Sequence, residues 1–335
     1  AVPFAGRVVV LDTGNYYRES QEVTIVNTVA GQVEKTLKIN SLFPSAVVGP
    51  DDDLYISGGF DQKVFRVDKQ FNVAREYPVG GFTAGIAQRD SMRLIVAYLA
   101  VKNAKGAYLN GQLSILNTET GKTEKEVDLG YFPYAVRAIN GKFYVTLLGE
   151  NKLLVYDANL RLLKTIVLGR TPQEMCTDGR LLYIVNTGSD SLSVINTRTN
   201  NLVSTISVAA RGSTFGTAPT SCLVDANRLY VTLANTNSVA ILDRFKGGEL
   251  ARLPTGWYPT KILKDQDQLL VLSAKGIRPR RPNPQGPRAG ETSRVAQYVL
   301  NLLIGSMSVI PLSDVDKEAT DLPSNSGAPI FNPQS

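Results

Sequence analysis

Gly169-Arg170-Thr171-Pro172, then Leu181-Leu182-Tyr183-Ile184-Val185-Asn186, then Ser191-Leu192-Ser193-Val194-Ile195-Asn196 is the stretch on which the fold turns. A Gly/Pro turn phrase leads into a continuous apolar run, and the run leads into a segment that alternates apolar with polar and closes on Asn. The run reads as a fully buried strand, and the alternation as a half-buried strand entering a tight turn. Outward from here the turn phrase returns as Gly130-Tyr131-Phe132-Pro133, Gly216-Thr217-Ala218-Pro219 and Gly256-Trp257-Tyr258-Pro259. Ser41-Leu42-Phe43-Pro44 and Gly81-Phe82-Thr83-Ala84 are degenerate copies. Eleven residues past the last position of each phrase stands the centre of an apolar run: Tyr55, Ile95, Tyr144, Tyr183, Tyr230 and Leu270. One interval kept six times marks an internal repeat.

Alternating segments ending in Asn or Asp follow at 64–68, 113–117 and 239–243, and a further short apolar segment comes after them, as at 163–168 and 202–208. Each unit is therefore four short antiparallel strands, and no segment carries a long helical period. Units of four strands at this spacing are blades of a β-propeller. Six blades centre on the residues above, and the stretches 8–12 and 23–27 supply later strands of a seventh. That seventh blade is expected to lack its first strand at the N-terminus, with the Gly/Pro/apolar phrase at 327–331 providing it and closing the ring by pairing the two chain ends. The expectation is an all-β, seven-bladed propeller forming one domain over 1–335 and a monomeric ring.

The phrases Leu182-Tyr183-Ile184-Val185-Asn186, Leu229-Tyr230-Val231-Thr232, Phe143-Tyr144-Val145-Thr146 and Ser191-Leu192-Ser193-Val194-Ile195-Asn196-Thr197 resemble the YVTN-repeat (YncE-like) seven-bladed propellers over nearly the whole chain. Gly256-Trp257-Tyr258-Pro259-Thr260, Ala274-Lys275-Gly276, the segment 282–287 and Gly305-Ser306-Met307-Ser308-Val309-Ile310 are similar to the propeller part of bacterial proteins in which such a domain precedes an alkaline-phosphatase-type phosphoesterase. In that group the metal chemistry belongs to the second domain. The resemblance therefore implies a bacterial cell-envelope location, periplasmic or secreted, and no catalytic residue in this chain.

Composition narrows the chemistry. The 335 residues include no histidine, which removes Ser-His-Asp and Cys-His nucleophile systems, His-ligated metals and a histidine pH switch. No cofactor and no metal site are expected, and no apolar run is long enough to span a bilayer as a helix. The two cysteines, Cys176 and Cys222, both fall in apolar strand patterns and are expected as buried free thiols rather than a bridge. Among carboxylates, Asp51-Asp52-Asp53 reads as a solvated turn rather than a calcium site, Glu150 lies in a short turn, and Glu174 sits two residues into a first strand.

Function is sought where units break pattern. Between second and third strands, 102–110 is inserted in the Ile95 blade, the N-terminal blade carries a loop with Tyr16 and Tyr17, and the last blade gains 28 residues. A fourth insertion, about 209–215 with Arg211, lies between blades. In a four-stranded blade all of these emerge on one face. The longest insertion holds Lys275, Arg278, Arg280, Arg281, Arg288 and Arg294 against Glu291 alone, so 275–294 carries five of the net charge of +6. Prolines at 279, 282, 284 and 287 bias it to stiff, extended backbone, and the spacing over 295–303 predicts a short helix. The turn phrases place Arg170, Tyr131, Phe132, Trp257 and Tyr258 on the same face, beside Phe43, Phe82 and Thr171.

Arginines beside aromatics bind rather than transfer protons. The leading expectation is a non-catalytic docking propeller that engages a protein or an adjoining phosphoesterase domain, with Arg278, Arg280, Arg281 and Arg288 as anion contacts and Trp257, Tyr258, Tyr131 and Phe132 as an apolar platform. Single-stranded nucleic acid or another anionic polymer is the alternative ligand. A metal-assisted lyase or hydrolase using carboxylates such as Glu174 is the third reading.

Overall fold

The computed structural model describes residues 1–12, 21–39, 42–49, 51–101, 105, 109–210, 215–277 and 305–315. Across them the chain is all-β, with seven antiparallel sheets in a seven-bladed β-propeller fold. The first sheet is β1 (Val2–Phe4), β2 (Arg7–Asp12), β3 (Gln21–Asn27) and β4 (Gln32–Ile39). The second is β5 (Ala46–Val48), β6 (Leu54–Ser57), β7 (Lys63–Val67) and β8 (Val73–Pro78), and the third β9 (Gly81–Gln88), β10 (Arg93–Val101), β11 (Gln112–Asn117) and β12 (Thr123–Asp128). The fourth is β13 (Pro133–Ile139), β14 (Lys142–Leu147), β15 (Lys152–Tyr156) and β16 (Leu162–Val167). The fifth is β17 (Pro172–Thr177), β18 (Leu181–Asn186), β19 (Ser191–Asn196) and β20 (Asn201–Ser207). The sixth is β21 (Pro219–Asp225), β22 (Arg228–Leu233), β23 (Ser238–Asp243) and β24 (Glu249–Pro254). The seventh has three strands among the described residues: β25 (Pro259–Asp265), β26 (Gln268–Ser273) and β27 (Ser306–Pro311). Strands adjacent in sequence are adjacent in every sheet.

Two compact units divide the chain. The first is 1–175 with 179–181 and 195–203; the second is 176–178 with 182–194 and 204–335. In both, the second strand of each sheet is the heart of the core. Tyr55, Ile95, Tyr144, Tyr183, Tyr230 and Leu270, the six repeat centres, have essentially no solvent exposure. Burying one such side chain stabilises by about 1.5 to 3 kcal/mol, which is why the repeat keeps these positions apolar or aromatic. The tyrosines are also used for their hydroxyls. Tyr144 donates to Thr197 O at 3.1 Å and Asn200 Oδ1 at 2.8 Å, tying the fourth sheet to the β19–β20 turn. Tyr55 donates to Asp51 Oδ2 at 3.0 Å.

Two expectations are corrected. The first sheet has its own first strand: Val2, Pro3 and Phe4 pair with Val9, Val8 and Arg7. A strand of three residues turning tightly through Ala5 and Gly6, both at positive φ, leaves no periodic trace in the sequence. The tail phrase at 327–331 lies outside the described residues, as does the helix predicted at 295–303. The cysteines are not free: Cys176 on β17 and Cys222 on β21 form a disulfide with Cα atoms 5.7 Å apart. They follow Pro172 and Pro219 by four and three residues, so they occupy nearly matching places on first strands of successive sheets. Matching places on successive blades are neighbours, and the thiols meet.

Candidate functional site

The four complete Gly-X-X-Pro phrases share a backbone feature that residue types alone do not announce. The residue before each proline is left-handed: Phe132 at φ 55°, Thr171 at 56°, Ala218 at 48° and Tyr258 at 59°. A proline pushes its predecessor toward extended backbone, and a left-handed L-residue costs about 1 to 2 kcal/mol. Such strain persists only where surrounding bonds over-determine it, and it clusters at functional positions.

Those bonds come from the turns between second and third strands. Asn151 Oδ1 accepts from the Thr171 N–H at 2.8 Å, Asp190 Oδ1 from Ala218 N–H at 2.9 Å and Asn237 Oδ1 from Tyr258 N–H at 2.9 Å. On their other side, the carbonyls of Phe132, Ala218 and Tyr258 accept from Leu148, Ala234 and Ala274 N–H at 2.8, 3.0 and 2.9 Å. Ala218 and Tyr258 are thus pinned between the blade before and the blade after.

In the first unit the phrase at 130–133 differs. Tyr131 N–H donates to Glu150 Oε1 at 2.6 Å, and Glu150 Oε2 accepts from Lys152 Nζ at 2.8 Å. The Lys152 ammonium, with the Tyr131 N–H, holds the Glu150 carboxyl below its ordinary value of 4.5. A Cβ on Gly130 would overlap the Glu150 carboxylate, and one on Gly149 would lie 2.5 Å from the Tyr131 ring. The result is an aromatic pair set into solvent: Tyr131 is 56% exposed, Phe132 is 42% exposed, and their rings meet edge to face at 4.7 Å. A second edge-to-face pair in this unit is Phe60 in the β6–β7 turn with Phe82 at the start of β9, 4.8 Å apart. Phe43 and Tyr134 form a third at 5.3 Å. Burial, with the nearby charge of Glu174, pushes the Tyr134 hydroxyl above its ordinary range.

In the second unit Trp257 and Tyr258 are half-buried at the root of the long insertion. Trp257 N–H donates to Gly276 O at 2.5 Å, Lys275 N–H returns to Trp257 O at 3.0 Å, and Lys275 Nζ sits 4.4 Å over the Tyr258 ring. Phe215, in the insertion between blades, is 87% exposed.

The sequence-derived candidates thus divide. Tyr131 and Phe132 come together; so do Trp257, Tyr258 and Lys275; Arg170 is exposed in its own phrase. Arg278, Arg280, Arg281, Arg288, Arg294, Arg211, Tyr16 and Tyr17 lie outside the described residues. Phe60, Phe215 and the positioning carboxylate Glu150 were not singled out from sequence as parts of a surface; the Gly58-Gly59 pair before Phe60 is the signal that a tight turn presents it. The triple aspartate is a structural turn: Arg66 reaches Asp51 and Asp53 at 2.7 Å each, and Lys69 reaches Asp52 at 3.3 Å. Among the described residues no group of three His, Cys, Asp or Glu is placed to hold a metal ion, and no helix is long and apolar enough to cross a membrane.

Solved structures share this architecture. The chain is similar to a streptogramin B lyase, with TM-score 0.64 and 13% identity over 92% of this chain and 95% of that one. It is similar to BamB from Moraxella catarrhalis, with TM-score 0.56 and 14% identity over 80% and 79%. Virginiamycin B lyase from Staphylococcus aureus matches at TM-score 0.62 and 13% identity over 79% and 94%. The likeness is one of fold. No protein-family model matches the sequence, and no curated protein matches it.

Proposed function

We propose that the chain is a non-catalytic docking propeller of the bacterial cell envelope, one domain over 1–335 with a basic insertion at 275–294, that engages a protein or an adjoining phosphoesterase domain. The observation that carries this is the Tyr131–Phe132 pair, exposed yet fixed by a strained backbone, a short carboxylate hydrogen bond and two glycines with no room for a Cβ. Rigid aromatics presented to solvent lose little entropy on binding, which is the property of interface anchors. Lys275 stacked on Tyr258 adds a cation to an aromatic surface at the root of the Arg-rich segment. The Cys176–Cys222 disulfide suits an oxidising compartment, periplasmic or extracellular. BamB from Moraxella catarrhalis shares the propeller fold. A histidine-to-alanine virginiamycin B lyase with quinupristin is catalytically inactive, and this chain contains no histidine, so that neighbour's chemistry is not carried over. The YVTN-like phrases fit the same reading.

The test is co-purification from an envelope fraction of the source cells, comparing the wild type with Tyr131→Ala/Phe132→Ala and with a deletion of 278–288. A protein retained by the wild type and lost from both variants supports the proposal. Unchanged recovery with both variants refutes it. Retained nucleic acid that is released steeply by moderate salt replaces it with polyanion binding.

A further inference from the structure

The fourth strand is the outer rim of a propeller blade, and on most rims here a carboxylate holds the cation beside it. Glu34 on β4 takes Arg7, Glu76 on β8 takes Lys63, Glu124 on β12 takes Arg93 and Glu249 on β24 takes Arg252. β16 and β20 contain no Asp or Glu at all. They expose Leu162, Leu163, Val167, Leu202 and Val203, Val167 to 72%. No other fourth strand among the described residues exposes more than one large apolar side chain. Lys164 Nζ donates to Asn201 Oδ1, which ties the two rims together, and residues 201–203 belong to the same compact unit as β16.

The cations along these two strands are held by neutral oxygens instead. Lys142 Nζ donates to Thr197 O at 2.8 Å and Asn200 Oδ1 at 3.1 Å. Lys125 Nζ reaches across from β12 and donates to Asn159 O at 2.6 Å, while alternation puts Glu126 on the other face of β12. Such bonds orient a cation and leave its charge standing. Arg161, 76% exposed, lies 4.0 Å from Asp157, whose Oδ1 already accepts from the Asn159 and Arg161 N–H groups. Arg198, in the β19–β20 turn, is exposed. Among the described residues, Lys125, Lys142, Arg161, Lys164 and Arg198 thus share one carboxylate, that of Asp157. An exposed apolar patch bordered by charge marks a contact with protein or with membrane. Leu and Val are poor anchors for protein partners, where Trp, Tyr and Arg dominate. An anionic bilayer takes both halves of the surface at once. Aliphatic side chains enter the boundary between headgroups and acyl chains, and cations are drawn to the lipid phosphates. We propose that the β16–β20 rim is a peripheral docking surface for an anionic lipid membrane. It shares no residue with the Tyr131–Phe132 site and does not rest on that reading.

Co-sedimentation of the whole chain with vesicles tests it, using equal parts phosphatidylcholine and phosphatidylglycerol against phosphatidylcholine alone. The wild type is expected to bind the anionic vesicles and not the neutral ones, and to be released as salt rises. Each cation near an anionic surface strengthens binding about fivefold, so Arg161→Gln/Arg198→Gln is expected to weaken it about twenty-five-fold. Arg7→Gln/Arg252→Gln, the same change in net charge on rims whose cations are paired, leaves it nearly unchanged. Leu163→Ser/Val203→Ser is expected to weaken binding severalfold with every charge in place. All of these side chains reach the surface, so the variants fold, which circular dichroism checks. The chain lacking 278–288 is expected to bind still and to respond to the same two pairs. A wild type indifferent to anionic vesicles overturns the proposal. So does binding that both rim variants keep, or binding that disappears with 278–288, because the insertion is then the membrane contact. Equal binding to soluble polyphosphate, untouched by Leu163→Ser/Val203→Ser, also overturns it and makes the rim a polyanion site.

Discussion

Removing the Cys176–Cys222 bridge is the perturbation whose cost follows most simply from the structure. The two sulfurs close a loop with a sequence separation of 46, both cysteines are buried, and they join first strands of consecutive sheets within one compact unit. Cross-linking a loop of that length removes enough entropy from the unfolded chain to stabilise the fold by about 4 kcal/mol. Against a total of about 5 to 15 kcal/mol for a folded protein, that is a large share. Urea unfolding, followed by far-ultraviolet circular dichroism on the oxidised and fully reduced wild type, reads the difference. The reduced protein is expected to unfold at markedly lower urea, with an extrapolated loss near that figure. Cys176→Ala/Cys222→Ala is expected to match the reduced wild type and to be insensitive to reductant. Coincident midpoints for oxidised and reduced wild type would refute the assignment of a bridge between these strands.

Three further outcomes are expected. Arg66→Ala leaves Asp51 and Asp53 facing each other without their shared guanidinium and costs about 1 to 3 kcal/mol in thermal or chemical unfolding; no change would return the triple aspartate to a merely solvated turn. Ala218→Gly, at φ 48°, relieves left-handed strain and raises stability by up to about 1 kcal/mol, where the same change at ordinary φ lowers it; a clear loss in a melt contradicts the strain argument. The Glu150 carboxyl is depressed below its ordinary value of 4.5 in the fold, so its contribution is fully present above that value and is lost as pH falls through the depressed one. The Tyr131 amide signal, followed by NMR, should therefore hold steady down to about pH 5 and shift only in more acid solution, and Glu150→Ala should remove the titration.

The seven sheets were legible because one constraint repeats. A Gly/Pro phrase and an apolar centre eleven residues later are fixed by blade geometry, and every such centre, Tyr55 through Leu270, is buried. The insertions at 102–110, 209–215 and after Ser273 were legible for the same reason, as departures from that spacing. What escaped lacked periodicity or depended on contacts between units of the repeat. Val2–Phe4 is too short to show alternation. The cysteine pair required laying the register of one blade on the next, which Pro172 and Pro219 permitted and local hydrophobicity obscured. The left-handed residues before proline run against local preference, so only the partners Asn151, Asp190 and Asn237, 20, 28 and 21 residues away, explain them. Of the candidate site, the aromatics were legible from their place in the turn phrases, while the role of Glu150 was not, because nothing in the sequence says which way a turn carboxylate points.

The docking claim is tested most directly by covalent capture at the aromatic pair itself. A photoreactive phenylalanine analogue placed at Phe132, and separately at Ala74 on the charged β8 edge, is irradiated in living source cells. One dominant protein adduct is expected from position 132, abolished by Tyr131→Ala in the same chain, and none from position 74. No adduct at 132, or equal adducts from both positions, contradicts it.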